Sequence, residues 1–157
     1  MDARLDPFTN SVLARFGKHL VAANRLLGES TLPGATRELV MLRASQINGC
    51  GFCVDMHTKD ATAAGETSTR LNLVAAWREA TVFSEAELAA LELAEEGTRL
   101  ADAAGGVSDD VWARAAKHYD DEQLGALVAS IALINAFNRG NVNLQQPAGD
   151  YRPGQLG

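Results

Sequence analysis

The chain has 157 residues, 46% of them hydrophobic, which is the size of one compact domain able to bury a core without disulfide staples. A formal charge of −6 with no basic stripe argues against a phosphate-binding surface, so no nucleic-acid partner is expected. The N-terminus carries Asp2 and Asp6 where a signal peptide would be basic, and no run approaches the ~20 apolar residues of a membrane span. No membrane partner is therefore expected, and the expected location is cytoplasmic. In that reducing compartment a lone cysteine pair points to catalysis, redox sensing or metal binding rather than to a staple.

Alanine-rich segments with apolar residues at three- and four-residue spacing recur throughout, and alternating β-branched runs do not, which predicts an all-α domain of about seven helices. Thr9 or Asn10 caps a first helix to about Leu27, with a stripe of Val12, Leu13, Phe16, Leu20 and Val21, and Gly28 ends it. Pro33 opens a second helix carrying Leu39, Val40, Leu42 and Ile47, which Asn48-Gly49 stops. A third starts at Cys50 and runs to about Ala64, with Gly65 as its stop. Ser68 or Thr69 starts a fourth that includes Leu71, Leu73, Val74 and Trp77. Ser84 to Glu87 fits a capping box for a fifth helix to about Ala103, and Ala104-Gly105-Gly106 breaks the chain. Ser108 with Asp109 and Asp110 suits the start of a sixth helix. Asp120 to Gln123 starts the seventh, whose Leu124, Leu127, Val128, Ile131, Leu133, Ile134 and Phe137 place it inside the domain or at a subunit interface. The domain is expected to span residues 1–142, with an irregular tail over 143–157. Trp77, Trp112 and the phenylalanines read as core. Glu85, Glu87, Glu92, Glu95 and Glu96 read as a solvated face, and His19 and His118 as ordinary surface or interface side chains.

Cys50-Gly51-Phe52-Cys53 follows the helix-stopping Asn-Gly, which places both thiols in the first turn of a new helix. Unpaired amides and the helix dipole there favour an anion, so a thiolate forms where a free cysteine, with a pKa near ~8.5, is mostly protonated. The three-residue offset puts both sulfurs on one face, able to close and reopen a disulfide. His57 lies one helical turn beyond Cys53, within reach of the thiol as proton acceptor or donor. Glu38 would be roughly 18 Å from Cys50 along one continuous helix. A hairpin turning at Asn48-Gly49 instead lets Glu38 face His57, where it can orient or polarise the imidazole. Cys50, Cys53 and His57 are also plausible zinc ligands, but the sequence offers no second ligand pair, so no metal site is expected. Haem attachment fails because Val54, not histidine, follows Cys53. A thioredoxin-like fold fails for want of alternating strands and helices, and two inert core cysteines remain the plain alternative.

The run from Glu38 to His57, written E, eleven residues, C-x-x-C, three residues, H, resembles the signature of alkylhydroperoxidase D-like proteins in the carboxymuconolactone decarboxylase group. The resemblance extends through residues 71–78, 83–87 and 134–139, covering residues 10 to 142. It implies an all-helical fold and a homotrimer or hexamer. By analogy, Cys53 is the peroxidatic thiol that attacks a hydroperoxide, Cys50 the resolving thiol, and Glu38 with His57 the proton relay. It further implies an external dithiol reductant, of dihydrolipoyl type or a small redox protein, with no bound organic cofactor. The chain departs from the best-known peroxidase members in carrying Phe52 where they have a histidine between the cysteines, and a phenyl ring cannot shuttle a proton. The expected function is a thiol-dependent peroxidase or disulfide reductase. The alternatives are a decarboxylase-like lyase using His57 and Glu38 as acid and base, a redox-sensing helical module without enzymatic activity, and a zinc-stabilised module.

Overall fold

The computed structural model describes residues 2–102 and 105–156. Among these there are seven α-helices and no strand: α1 (Ser11–Gly28), α2 (Gly34–Ile47), α3 (Gly51–Ala63), α4 (Ser68–Leu73), α5 (Glu85–Thr98), α6 (Asp109–Ala116) and α7 (Asp121–Leu144). The all-α expectation is met. A 3₁₀ helix, Val74–Glu79, continues α4.

Most boundaries follow capping chemistry visible in the sequence. The side chains of Asn10, Ser84, Ser108 and Asp120 accept amide hydrogens at the starts of α1, α5, α6 and α7. Ser84–Glu87 and Asp120–Gln123 both form reciprocal capping boxes, satisfying two orphan amides each. Gly49 takes the left-handed conformation, φ +65°, that lets the chain reverse between α2 and α3, and Gly65 does the same after α3.

Three expectations for the elements need correction. The expected fourth helix changes character at Val74, because Ala76 is non-helical and tightens the segment into 3₁₀ turns that tuck Val74 and Trp77 into the core. The fifth helix ends at Thr98 rather than near Ala103. Arg99 leaves helical geometry, and its guanidinium turns to Asp102 at 2.9 Å. Ala103 and Ala104 lie outside the described residues. The last helix continues to Leu144, where Gln145 closes it in a left-handed conformation.

α2 is the centre of the fold, packed against α3, α5 and α7. Thr36, Leu39, Val40, Met41, Leu42, Ala44 and Ser45 are buried around its circumference, so it lacks the one-sided stripe of a surface helix. One core lies between α2, α5, α6 and α7 around Val40, Leu93, Val111, Leu127 and Ile131. A second lies between α2, α3, α5 and the 3₁₀ segment around Leu39, Leu42, Ala61, Val74, Trp77 and Leu91. A third surrounds the cysteines with Leu27, Met41, Ala44, Leu133 and Ile134.

The burial of several side chains differs from the sequence reading. Val12 and Phe16 are 70% and 53% exposed and of α1 only Leu27 is buried, so the stripe divides: Leu20 packs against the core around the cysteines while Val12 and Phe16 face away from it. Phe8 and Trp112 are also exposed, while Trp77 and Phe83 are core as expected. Glu95, expected on a solvated face, is 5% exposed. It accepts from the Arg43 guanidinium at 2.7 Å, Arg78 at 2.7 Å and the Trp77 indole at 2.9 Å, tying α2, the 3₁₀ helix and α5 together. Spacing along α5 cannot reveal this, since the partners come from distant segments.

Burial alone would raise the pKa of Glu95, but its hydrogen bonds to Trp77, Arg78 and Arg43 outweigh that and lower it from 4.5 to about 2. The folded state therefore binds fewer protons than the unfolded chain. The stabilisation from Glu95 should be complete above pH 4.5 and lost as pH falls toward about 2. Glu95→Ala leaves the part-buried Arg43 guanidinium and the buried Trp77 indole without their acceptor and should cost about 1–3 kcal/mol, read as a lowered midpoint in urea unfolding at pH 7.

Candidate active site

The break at Asn48-Gly49 does more than end α2. It makes Cys50 the N-cap of α3, in extended conformation, with its sulfur accepting the Cys53 amide at 3.4 Å. Cys53 is then in the first turn, and the two Sγ atoms lie 2.6 Å apart as free thiols. Closing this gap to the ~2.05 Å of a disulfide needs little movement. Both cysteines are only 1% exposed.

His57 is buried one turn further along α3. Its Nδ1 meets Glu38 Oε2 at 2.8 Å across the α2–α3 hairpin, the juxtaposition that the turn at Asn48-Gly49 allows. Burial opposes ionisation of Glu38, yet its hydrogen bond to His57 and the charges of His57 and Arg37 hold it below the usual carboxylate range. An ionised Glu38 fixes Nδ1 as the protonated nitrogen. The other ring nitrogen, Nε2, is buried with no hydrogen-bond partner among the described residues. It is the ring nitrogen left available to a further hydrogen-bond partner. The α2–α3 hairpin thus carries two contacting pairs, Glu38 with His57 and Cys50 with Cys53, and no hydrogen bond from His57 to either sulfur is among those described.

The charge distribution within the dithiol is asymmetric. Cys50 is lowered from 9.0 to about 7, chiefly by a hydrogen bond from the Cys53 thiol, with burial opposing and the Cys53 amide, Asn138 and Asn141 assisting. Cys53 is raised, because its own proton is engaged by the Cys50 sulfur, because it is buried, and because Cys50 carries the charge. The two thiols titrate as a pair, the first proton leaving more easily and the second less easily than from a free cysteine.

The sequence reading missed two groups of residues here. The first comes from α7, where Asn135, Asn138 and Asn141 recur every three residues along one face of an otherwise apolar helix. Asn141 Nδ2 lies 3.3 Å from the Cys53 sulfur. Asn138 is fully buried and donates to Ser45 Oγ at 3.0 Å. Asn48 donates to both Asn135 Oδ1, at 2.9 Å, and Asn138 Oδ1, at 2.8 Å. The sequence signal was the polar period on a helix read for its leucines and isoleucines.

The second is the C-terminal tail. It is irregular, yet it lies across α3: Asp55 accepts from the Gly149 and Tyr151 amides, Lys59 donates to the Gly149 carbonyl at 2.7 Å, and Asp60 accepts from the Tyr151 hydroxyl at 2.8 Å and the Gly154 amide. Tyr151 is buried and meets the Phe52 ring edge-on, 6.3 Å between centroids. Phe52, between the cysteines, is therefore an anchor for this strap. No three His, Cys, Asp or Glu side chains among the described residues are grouped to hold a metal ion together.

Residues 12–96 match the model of the carboxymuconolactone decarboxylase family. This chain belongs to that family. The match spans the α2–α3 hairpin and all four site residues. The Bacillus subtilis protein YdfG is 45% identical over 111 residues, covering 71% of this chain and 74% of its own. Among solved structures, the Agrobacterium tumefaciens protein ATU0492, of unknown function but with a suggested AhpD-type antioxidant defence role, is 31% identical with a TM-score of 0.88. That similarity covers 96% of this chain and all of the other. The debrominase Bmp8 has a TM-score of 0.75 at 18% identity, covering 88% and 71% of the two chains, and so shares the fold. The family match and the likeness to ATU0492 thus agree with the alkylhydroperoxidase D-like motif.

The strap generates a direct prediction. Tyr151→Ala removes both the bond to Asp60 and the edge contact with Phe52, and should raise the iodoacetamide labelling rate of the cysteine pair at pH 8 several-fold. Unchanged labelling would mean that the strap does not limit access to the dithiol.

Proposed function

We propose that this family member is a thiol-dependent peroxidase or disulfide reductase working through Cys50 and Cys53. The observation that carries the reading is the buried dithiol at a helix N-terminus beside a histidine whose Nδ1 is held by a carboxylate and whose Nε2 is free.

In the proposed cycle the Cys53 thiolate attacks the terminal oxygen of a hydroperoxide. The O–O bond breaks, its electrons leave with the alkoxide, and that oxygen takes a proton to depart as alcohol, or as water from hydrogen peroxide. Cys53 becomes a sulfenic acid. The Cys50 thiolate then attacks the Cys53 sulfur, hydroxide leaves with a proton as water, and the disulfide closes. An external dithiol, of dihydrolipoyl type or on a small redox protein, returns two electrons and two protons and leaves as its own disulfide. His57, oriented by Glu38, carries the proton to and from the reacting oxygens. The roles of the four residues follow their motif positions, and no metal or bound organic cofactor is required by this chemistry.

The test is intact mass under denaturing conditions, before and after one equivalent of an organic hydroperoxide, with hydroperoxide consumption timed in parallel. Rapid loss of two hydrogens matched to consumption is expected. Cys53→Ser should abolish it, and Cys50→Ser should leave a sulfenic acid that dimedone traps. Oxidation no faster than that of a free thiol would overturn the peroxidase reading and move weight to the lyase or sensor alternatives.

The outward apolar faces, Phe8, Val12 and Phe16 near α1 and Leu100, Trp112 and Val128 near α6 and α7, favour assembly as a homotrimer or hexamer. Sedimentation equilibrium should return a mass of three or six chains, and a monomer at micromolar concentration would contradict it. A cytoplasmic location fits a cycle that needs a reducing thiol supply. No helix among the described residues is long and apolar enough to cross a membrane.

A further inference from the structure

Attack by Cys53 raises a difficulty that the geometry itself answers. The N-cap position of Cys50, where its sulfur accepts the Cys53 amide, favours the resting charge on that sulfur. An attacking Cys53 needs that charge delivered to itself, so something must stabilise it there. Within the α2–α3 hairpin the only donor to the Cys53 sulfur among the described hydrogen bonds is the Cys50 thiol itself, so the bias toward Cys53 needs another donor. The donor comes from the far end of the chain, where the Asn141 amide nitrogen stands 3.3 Å from that sulfur.

We propose that Asn141 is a catalytic residue of the dithiol, donating a hydrogen bond that draws the pair's shared negative charge from Cys50 onto Cys53 and so selects Cys53 as the attacking sulfur. The step is a proton transfer within the pair. The thiol proton of Cys53 passes to the Cys50 sulfur, and the charge left on Cys53 is met by the Asn141 N–H. No electron leaves the pair and no co-reactant is consumed.

The backbone places Asn141 for this role. It is on the last full turn of α7, one turn beyond Asn138, whose amide is locked between Asn48 and Ser45. The helix is thus registered against the α2–α3 hairpin by hydrogen bonds as well as by packing. Asn138 Nδ2 donates to Ser45, and of the two amides only Asn141 is in described hydrogen-bond contact with the Cys53 sulfur. Asn141 has no other side-chain hydrogen bond among those described.

The inference rests on the dithiol reading above, but its test needs no hydroperoxide. Reduced protein is labelled with limiting iodoacetamide from pH 6 to 9, and the label on Cys50 and Cys53 is quantified separately by peptide mass mapping. A hydrogen bond to a charged partner supports a change of about tenfold, so Asn141→Leu should lower the Cys53-to-Cys50 label ratio about tenfold and move the pH profile of Cys53 upward. Asn141→Asp keeps the shape, replaces the donor with a carboxylate and should lower the ratio further. Asn143→Ala, an exposed change on the same turn, should leave it at the wild-type value. An unchanged ratio in both Asn141 variants, or equal slowing of both cysteines, would overturn the proposal. A shifted ratio in a protein that does not consume hydroperoxide would support the role of Asn141 while sinking the peroxidase reading.

Discussion

The site depends on one backbone event, the reversal at Asn48-Gly49. Gly49 enters a left-handed conformation that a side chain would resist, which ends α2 and starts α3 with three residues between them. That reversal makes Cys50 an N-cap, so its sulfur occupies the place a serine or aspartate oxygen usually takes and meets an unpaired amide. It also makes α2 and α3 neighbours, so Glu38 and His57 meet although nineteen positions separate them. A continuous helix would scatter these groups along its length and leave Cys50 with no amide to accept.

The second requirement is that a polar site survive inside an apolar fold. Asn48, Asn135 and Asn138, with Ser45 and Thr98, form a closed set of side-chain hydrogen bonds between α2, α5 and α7. Each buried amide there finds partners, which avoids the desolvation cost of an orphan donor. Such networks are demanding of geometry, and that makes them register marks: α7 can slide or rotate against α2 only by breaking several bonds together. Leucines in these positions would bury more apolar area yet would allow a wider set of packings. The polar face of α7 therefore fixes where its final turn, and hence Asn141, comes to rest.

How much of this was legible in the sequence follows from the range of each interaction. Caps, glycine turns and the cysteine spacing are local, so Asn10, Ser84, Ser108, Asp120 and Gly49 announce themselves, and the all-helical class follows. Glu38 and His57 could be paired because one visible turn sets their relation. Glu95 was misread because its charge is neutralised by Arg43 and Arg78, which are remote in sequence from α5. Val12 and Phe16 were misread because an amphipathic period shows that a helix has an apolar face but not what covers it. The asparagines of α7 and the strap around Tyr151 depend on where the chain's last quarter returns, which no local pattern encodes.

Burial and reactivity pull against each other at the dithiol, and the structure arranges them on different sides. The apolar surroundings from Leu27, Met41, Leu133 and Ile134 raise the cost of a thiolate, and would by themselves make two inert cysteines. The hydrogen bond to the Cys53 thiol first, and then the Cys53 amide at the helix N-terminus, act in the opposite sense and lower Cys50 below the usual thiol range. The same burial keeps bulk thiols and water away from a sulfenic acid once formed, while the resolving sulfur stands 2.6 Å off. The cover over this side of α3 includes a strap held by two carboxylates and one tyrosine rather than by a packed core. A cover of that kind can loosen without unfolding the helices beneath it, which reconciles cysteines that are nearly inaccessible at rest with chemistry that must meet a substrate and then a reductant.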